Sequence, residues 1–180
     1  MASLGRRLTD LLRTVLEPAT RSARRTPPPS PRASPGASPA PRPAAAGRVQ
    51  DPGDVDLVYR PRDDGRPDPG EVVWAWVPYD EGDGRGKDRP VLVLGRRGRS
   101  LLGLMLTSKD HDRDAADEAR HGRVWMDVGS GGWDSRGRPS EVRLDRLLLL
   151  EPGDVRREGA ALGRALFEEV VTAARRVQGW

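Results

Sequence analysis

The side chains of this 180-residue chain that could carry out chemistry are mainly arginines, carboxylates and hydroxyls. Cysteine is absent, which excludes thiol nucleophiles, disulfides and Cys-ligated metal sites. The chain has two histidines, His111 and His121, so a His-rich metal site is not expected. The acidic run from Asp110 to Asp117 lacks the glycine and the glutamate spacing of a calcium loop and is interpreted as a solvated loop. We therefore expect neither a bound metal nor a cofactor.

A few polar residues stand at the ends of apolar runs. Arg143 and Asp145 are two positions apart in a segment with strand character, so they share one face of the strand. The simplest interpretation of such a pair is a surface ion pair of little energetic weight. Arg89 stands before a proline at the entrance of another apolar run and, taken alone, is interpreted as a surface cation. Thr107 and Ser108 follow a third run, where hydroxyls can hydrogen-bond a phosphate or a base edge.

Two glycine-rich segments fail the tests for nucleotide-binding loops. The segment from Tyr79 to Lys87 (YDEGDGRGK) lacks the Gly-Lys-Ser/Thr ending of a P-loop, and no helix follows Gly129–Gly132. The chain also has no Gly-x-Ser-x-Gly nucleophile elbow. These generic motifs predict loops and no known cofactor chemistry.

Five segments rich in β-branched, aromatic or leucine residues would position these side chains. They are separated by polar, glycine-rich loops, and the charged segment Ser108–Arg120 is predicted to be a surface loop or one helical turn. A stripe from Leu162 to Val177 recurs at helical spacing and predicts a closing helix. The fold class is therefore mainly β with a C-terminal helix, a small barrel-like sheet. The predicted strands are Glu71–Val77, Pro90–Leu94, Ser100–Leu106, Arg123–Val128 and Glu141–Leu149.

The net charge of +4 is unevenly distributed along the chain. Residues 1–50 contain nine arginines and two acids, a net charge of +7, which leaves 22 basic and 25 acidic residues, a net charge of −3, in residues 51–180. The high pI therefore belongs to the N-terminal part. If the remainder binds nucleic acid, it does so through a local cluster and not through a global positive field.

The N-terminal part divides into two segments ahead of the predicted domain at 68–180. Residues 1–17 carry leucines at helical spacing and predict an amphipathic helix, whose residues 3–16 either make a weak contact with a membrane or a partner or cover nothing. Residues 18–67 are rich in Pro, Ala and Arg and predict a disordered linker, in which the apolar group around Leu57 and Tyr59 could dock on the domain. Because the longest wholly apolar run is Leu147–Leu150, no transmembrane helix is expected, and we expect a cytoplasmic protein.

Three short segments, taken in order, carry a more specific signal. They are GEVVWAW (Gly70–Trp76) followed by KDRPVLVL (Lys87–Leu94), then LTSKDHD (Leu106–Asp112), and finally SEVRLDRLLLL (Ser140–Leu150). Their order and spacing resemble the MazF/PemK family, the toxin components of bacterial type II toxin–antitoxin systems. The resemblance covers Gly70–Gln178 and excludes the N-terminal part.

The resemblance implies an SH3-like barrel that forms homodimers. It also implies a toxin-like endoribonuclease that cleaves single-stranded RNA without a metal ion and is restrained by a cognate antitoxin. The alternative is a non-catalytic module on the same barrel that binds nucleic acid or protein. In either case the resemblance implies no cofactor.

The resemblance also assigns roles to individual residues. Arg89 matches the family's active-site arginine after the first loop, and Thr107 matches its active-site threonine. Arg143 and Asp145 match the Arg-x-Asp that the PemK/Kid branch uses as its acid and base. Asp145 is then the plausible base for the 2′-OH, while the guanidinium groups clamp the phosphate oxygens. Because an arginine guanidinium is a very weak acid, water or Thr107 is expected to share the acid role.

Substrate contacts are expected from residues beside these four. They are Lys87 at the end of the first loop, Ser108 beside the active-site threonine, and Trp133, whose position in a polar glycine-rich loop favours base stacking as much as loop packing. Trp125, on a strand, is interpreted as a core residue. The loop histidine of the PemK branch has no counterpart in DEGDGRGKD. His111 could replace it as a titrating group, although a solvated surface histidine is the preferred interpretation.

Overall fold

The computed structural model describes residues 44–180, apart from 51, 52, 54 and 112–114. The predicted helix at 1–17 and most of the predicted linker at 18–67 lie outside the described residues. The described part contains seven strands, two α-helices and one 3₁₀ turn. In chain order they are β1 (Gly47–Val49), β2 (Glu71–Pro78), β3 (Gly86–Arg97), β4 (Ser100–Thr107), α1 (Ala115–Arg120), β5 (Trp125–Gly129), β6 (Ser140–Leu150), the 3₁₀ turn (Pro152–Asp154), β7 (Arg156–Ala161) and α2 (Arg164–Gln178).

The predicted fold class, mainly β with a C-terminal helix, is confirmed. The five predicted strands correspond to β2–β6, whereas the short edge strands β1 and β7 were not expected. All pairs are antiparallel, in the order β1–β6–β4–β3–β2–β7, with β5 beside the first half of β6. This pairing stops short of a closed barrel. One backbone hydrogen bond, from the Ala46 N–H to the Trp76 carbonyl at 3.0 Å, links the β1 end of the sheet to β2.

The strands are continuously apolar because both faces of the sheet are covered. The larger core packs against α2, whose buried residues recur at helical spacing: Phe167, Val170, Val171 and Ala174. The smaller core lies on the opposite face, and successive residues of β3 alternate between the two. Helix α2 ends at Gly179, which adopts a left-handed conformation (φ 77°) and donates its N–H to the Arg175 carbonyl.

Part of the predicted linker packs on the domain. Strand β1 pairs with Leu147–Leu149 of β6 and covers its edge. Tyr59 donates its hydroxyl to the Leu162 carbonyl at 2.8 Å and packs against Phe167. Gly95 allows the segment around Leu57 to approach, since a Cβ there would lie 2.9 Å from a methyl group of Leu57. The expected docking of Leu57 and Tyr59 is therefore observed, and the packed structure begins upstream of residue 68.

No helix in the described part of the chain is both long enough and apolar enough to cross a membrane.

Candidate active site

An open cleft of about 660 Å³ lies where β3, β4 and β6 change from apolar to polar. Side chains facing the smaller core are hydrophobic along most of each strand, and the next position on the same face is polar. Arg89 is two residues from Val91, Thr107 is two residues from Met105, and Arg146 is two residues from Leu148. The sheet therefore brings three side chains that are distant in sequence into one polar region at the end of an apolar core.

An irregularity in β6 adds Arg143 to the cleft, together with Asp145, to which Arg143 is hydrogen-bonded. On β4 and β6, Leu104 pairs with Leu147, but Leu106 pairs with Val142. A single β4 residue therefore faces the four-residue segment 143–146. Such bulges re-aim side chains and are common next to active sites. Here the bulge allows Arg143, Asp145 and Arg146 to approach the same cleft.

Arg143 is buried and held by two carboxylates. Its Nε donates to Asp145 Oδ1 at 3.0 Å, its Nη2 donates to Asp145 Oδ2 at 2.8 Å, and its Nη1 donates to Asp80 Oδ2 at 2.7 Å. Burial lowers the pKa of Arg143, but the hydrogen bonds and charges of Asp145 and Asp80 outweigh burial, so its pKa is raised. Arg143 is therefore a fixed cation and an unsuitable proton donor.

Asp80, in the loop between β2 and β3, is shared by three guanidinium groups. Its oxygens lie 2.7 Å from Arg143 Nη1, 3.1 Å from Arg146 Nη1 and 3.4 Å from Arg123 Nε. Burial raises the pKa of Asp80, but the Arg143 hydrogen bond and the charges of the three arginines outweigh burial and lower it. The carboxylate thus occupies a cradle whose charge and donors would also suit a phosphate.

Arg89 differs from these arginines in its surroundings. It is half-buried, and within the described residues its guanidinium makes no hydrogen bond or ion pair. Burial lowers its pKa, nearby Tyr79 raises it, and the positive charge of Arg143 lowers it further. Arg89 and Arg143 are therefore close enough to interact, but only Arg143 is neutralised.

Residues 68–177 match the family model of the PemK-like, MazF-like toxin of type II toxin–antitoxin systems. The chain belongs to this family. The match covers more than half of the chain and confirms the resemblance inferred from its three segments.

Solved structures similar to this PemK-like chain include three from two bacterial groups. MazF (Form-I) from Deinococcus radiodurans is 19% identical, with 65% of this chain and 100% of that chain covered and a TM-score of 0.45. MazE-MazF (Form-II) from the same organism is 19% identical, with 64% of this chain and 98% of that chain covered and a TM-score of 0.44. An endoribonuclease in complex with its cognate antitoxin from Mycobacterial species is 18% identical, with 63% of this chain and 95% of that chain covered and a TM-score of 0.41. Comparison with curated proteins finds no match.

All four residues assigned to catalysis in this PemK-like chain line the cleft or bond to a residue that does. Arg89, Thr107 and Arg143 line it, and Asp145 is held by Arg143. Asp145 Oδ1 also accepts the Val124 N–H at 2.9 Å, so this carboxylate is fixed from both sides.

The smaller polar residues predicted to bind substrate also line the cleft. Thr107 is buried, and its Oγ1 accepts the N–H of Lys109 at 3.2 Å. Ser108 is partly exposed and Lys87 is exposed, and both line the cleft. Their placement is compatible with contacts to a bound polyanion.

Both tryptophans considered for core packing or base stacking line the cleft, and each also packs against one of the two cores. Trp133 is 4% exposed, packs in the larger core and donates its indole N–H to Ser140 Oγ at 3.1 Å. Packing, one of the two alternatives left open for Trp133, is therefore observed, and the small part of Trp133 that stays exposed borders the cleft. Trp125 packs against the smaller core and forms part of the cleft wall, whereas Met126 and Val128 face the larger core. Its indole N–H donates to Glu118 Oε2 at 3.0 Å.

His111 is buried at the cleft, so its interpretation as a solvated surface histidine is wrong. Its Nδ1 lies 2.7 Å from Glu141 Oε2, and its backbone N–H donates to Glu141 Oε1 at 3.0 Å. The imidazole stacks on Trp125 with ring centroids 3.9 Å apart and an angle of 3° between the planes. His111 is therefore held at three points.

Sequence reasoning missed three carboxylates of the site. Asp80 lies in a loop that was interpreted only as polar, and Glu118 lies in a segment without an apolar stripe. Asp80 carries no local signal, because its partner Arg143 lies 63 residues away. Glu118 contacts Arg123 and Trp125, which are five and seven residues away but beyond the end of α1. Glu141 stands two residues before Arg143 on the same strand, so its place on the same face was a usable signal.

In the described part of the chain, no group of three or more histidine or acidic side chains is arranged to hold a metal ion.

Proposed function

We propose that this chain is a toxin of a type II toxin–antitoxin pair that cleaves single-stranded RNA without a metal ion. We further propose that it acts in the cytoplasm as a homodimer and that a cognate antitoxin restrains it. Membership of the PemK-like, MazF-like family supports the toxin assignment. The observation that carries the activity is the convergence on one cleft of Arg89, Thr107 and Arg143, from three different strands, with Asp145 hydrogen-bonded to Arg143.

The proposed reaction uses the 2′-OH of the substrate as the nucleophile. Asp145 accepts the proton of this hydroxyl, and the attack on phosphorus forms a pentavalent phosphorane. Arg89 and Arg143 stabilise the charge on its non-bridging oxygens, with Thr107 as a further hydrogen-bond donor. The products are a 2′,3′-cyclic phosphate and a 5′-hydroxyl.

The decisive test is cleavage by EDTA-treated protein of a set of unstructured RNAs, with identification of the new ends. We expect 2′,3′-cyclic phosphate ends and a loss of about 10²- to 10³-fold in kcat/KM for Arg89→Ala, the range for removal of one preorganised donor. Arg176→Ala is the matched control, because Arg176 is exposed on α2 and does not line the cleft. Intact RNA with all variants, or equal cleavage by wild type and Arg89→Ala, would refute the proposal.

The pairing of Arg143 favours a second candidate, a non-catalytic module that binds RNA or protein. Three of the five N–H groups of its guanidinium already donate to Asp80 and Asp145, and both carboxylates offset its charge, which leaves two N–H groups for a phosphate. Binding of RNA without cleavage, measured by gel shift on the same EDTA-treated protein, would favour this candidate.

A further inference from the structure

The reaction proposed above needs a group that protonates the leaving 5′ oxygen. Arg143 cannot serve well, since the pKa of its guanidinium is raised. Thr107 has an ordinary hydroxyl, which is a weak acid. Among the side chains lining the cleft, the one whose type exchanges protons near neutral pH is the imidazole of His111.

The surroundings of His111 resemble those of an oriented catalytic histidine. Glu141 accepts from both the backbone N–H and the Nδ1 side of the residue, at 3.0 and 2.7 Å. A carboxylate on one ring nitrogen fixes the tautomer and leaves the other nitrogen, Nε2, for a reacting group. The face of Trp125, 3.9 Å away, restrains rotation of the ring.

The His111–Glu141 pair lies next to other residues of the site. Glu141 pairs in register with Thr107 across β4 and β6, and it stands two residues before Arg143 on the same strand. The Arg143 guanidinium carbon lies 5.9 Å from the centroid of the Trp125 ring on which His111 stacks. Among the described residues, Glu141 on β6 is bonded to the imidazole, and Glu118 on α1 interacts electrostatically with both His111 and Lys109.

We propose that His111 is the general acid of RNA cleavage and that Glu141 is the positioning residue that holds it. This inference rests on the proposed function. The 2′ oxygen bonds to phosphorus as its proton passes to Asp145, the bond between phosphorus and the 5′ oxygen breaks, and Nε2 of His111 gives its proton to that oxygen. His111 is left neutral and Asp145 protonated, and exchange with solvent restores both.

The test compares ordinary RNA with RNA in which sulfur replaces the leaving 5′ oxygen. A thiolate leaves without being protonated, so a general acid is not needed for the sulfur substrate. We expect His111→Ala to cleave ordinary RNA at least 100-fold more slowly than wild type but to cleave the 5′-thio RNA within about threefold of the wild-type rate. His121→Ala, which removes an exposed histidine, should match wild type on both substrates.

A second variant tests the role of Glu141 and covers a failure of His111→Ala to fold. In Glu141→Gln the amide keeps the size of the side chain. We expect the cleavage rate on ordinary RNA to fall about tenfold and the cleavage rate on 5′-thio RNA to be retained. A purely structural role for Glu141 would instead slow cleavage of both substrates alike.

The outcomes separate this inference from the proposed function. Equal losses on both substrates in His111→Ala and Glu141→Gln, or no loss in either, would overturn the assignment of the acid while leaving RNA cleavage standing. Failure of the wild-type protein to cleave even the 5′-thio RNA would overturn the proposed function, and the acid assignment with it. Thermal unfolding and RNA gel shifts of each variant identify losses caused by misfolding or weaker binding.

Discussion

The two walls of the cleft hold their arginines in opposite ways. On the paired wall, Arg123, Arg143 and Arg146 face the carboxylates of Asp80, Asp145 and Glu118 at 2.7 to 3.5 Å. On the open wall, Arg89 stands beside Lys87 and Thr107, and among the described residues it has no acidic partner.

The difference shows that one wall supplies arginines in fixed positions and the other supplies unneutralised positive charge. Three guanidiniums matched by three carboxylates are held in place before any substrate arrives, which favours preorganisation. The same matching removes the net charge that would attract a phosphate. Arg89 provides that charge but depends on burial alone for its position. A polyanion would therefore meet the open wall first and then compete with Asp80 for the paired wall.

Asp80 is the carboxylate best placed to be displaced from Arg143 by a phosphate. It begins an exposed loop in which Gly82 and Gly84 have positive φ angles of 67° and 78°. Glycine adopts this region without strain, so the tight turn depends on these residues. By contrast, Asp145 is fixed within β6 and by the Val124 N–H. The loop carboxylate is thus the exchangeable partner of Arg143.

The largest expected difference between the walls is in the effect of arginine removal on stability. Arg143→Ala leaves Asp145 and Asp80 without their main donor. Because these carboxylates are 12% and 28% exposed, we expect a loss of about 2 kcal/mol, less than for a fully buried pair. Arg89→Ala should change the free energy of unfolding by less than about 0.5 kcal/mol. Urea unfolding of both variants provides the measurement, and equal losses would remove the distinction.

A second prediction concerns competition for the paired wall. Asp80→Asn removes the anion that competes with phosphate, so single-stranded RNA should bind about three- to tenfold more tightly at low salt. Fluorescence anisotropy with a labelled RNA measures the change. Asp83→Asn is the matched control, because Asp83 lies in the same loop and pairs only with exposed Arg85 among the described residues. Unchanged or weaker binding in Asp80→Asn would show that Asp80 does not compete.

A third prediction compares Trp133, which is buried in the larger core at the edge of the cleft, with Trp125, which is half-buried in the cleft wall. Trp133→Phe loses the indole hydrogen bond to Ser140 and should destabilise the fold by about 1 kcal/mol with RNA affinity unchanged. Trp125→Phe should weaken RNA binding as well, since Trp125 lines the cleft beside His111. Loss of RNA binding in Trp133→Phe at full stability would favour base stacking over loop packing as the role of Trp133.

The smallest expected effect is the dependence of stability on pH. The pKa of Asp80 is lowered in the folded protein, so its ion pairs contribute fully above the ordinary value of 3.8. This contribution is lost as pH falls from 3.8 through the folded-state value. Asp80→Asn should therefore be less stable than wild type by about 0.5 kcal/mol at pH 6, and the difference should shrink near pH 3. A constant difference across this range in urea unfolding would contradict the ion-pair origin.

Local patterns were sufficient to predict the central strands and the last helix. β2 to β6 coincide with apolar runs, and the α2 stripe has the spacing of a helix against a sheet. The edge strands β1 and β7 were missed for a physical reason. β1 has three residues and β7 is polar (RREGAA), so neither carries an apolar period, and their pairing with β6 and β2 defines them.

For the candidate site, the sequence predicted the arginines, the threonine and Asp145 but not what surrounds them. A motif conveys residue type and order, which is enough to find Arg89 and Arg143. It does not convey that, among the described residues, Arg89 has no hydrogen-bond or ion-pair partner whereas Arg143 is paired with Asp145 and Asp80. Asp80 lies 63 residues from Arg143 in the chain, so no local motif links the two.

By itself, then, the sequence determined the family, the mainly β architecture and the absence of thiol chemistry. These properties follow from composition and from short runs, which are local. The tertiary structure alone decided that His111 is buried on Glu141, that Trp133 is in the core, and that β6 bulges to bring Arg143, Asp145 and Arg146 to the cleft. Such features depend on strand register, which shifts a side chain from one face of a sheet to the other with each residue.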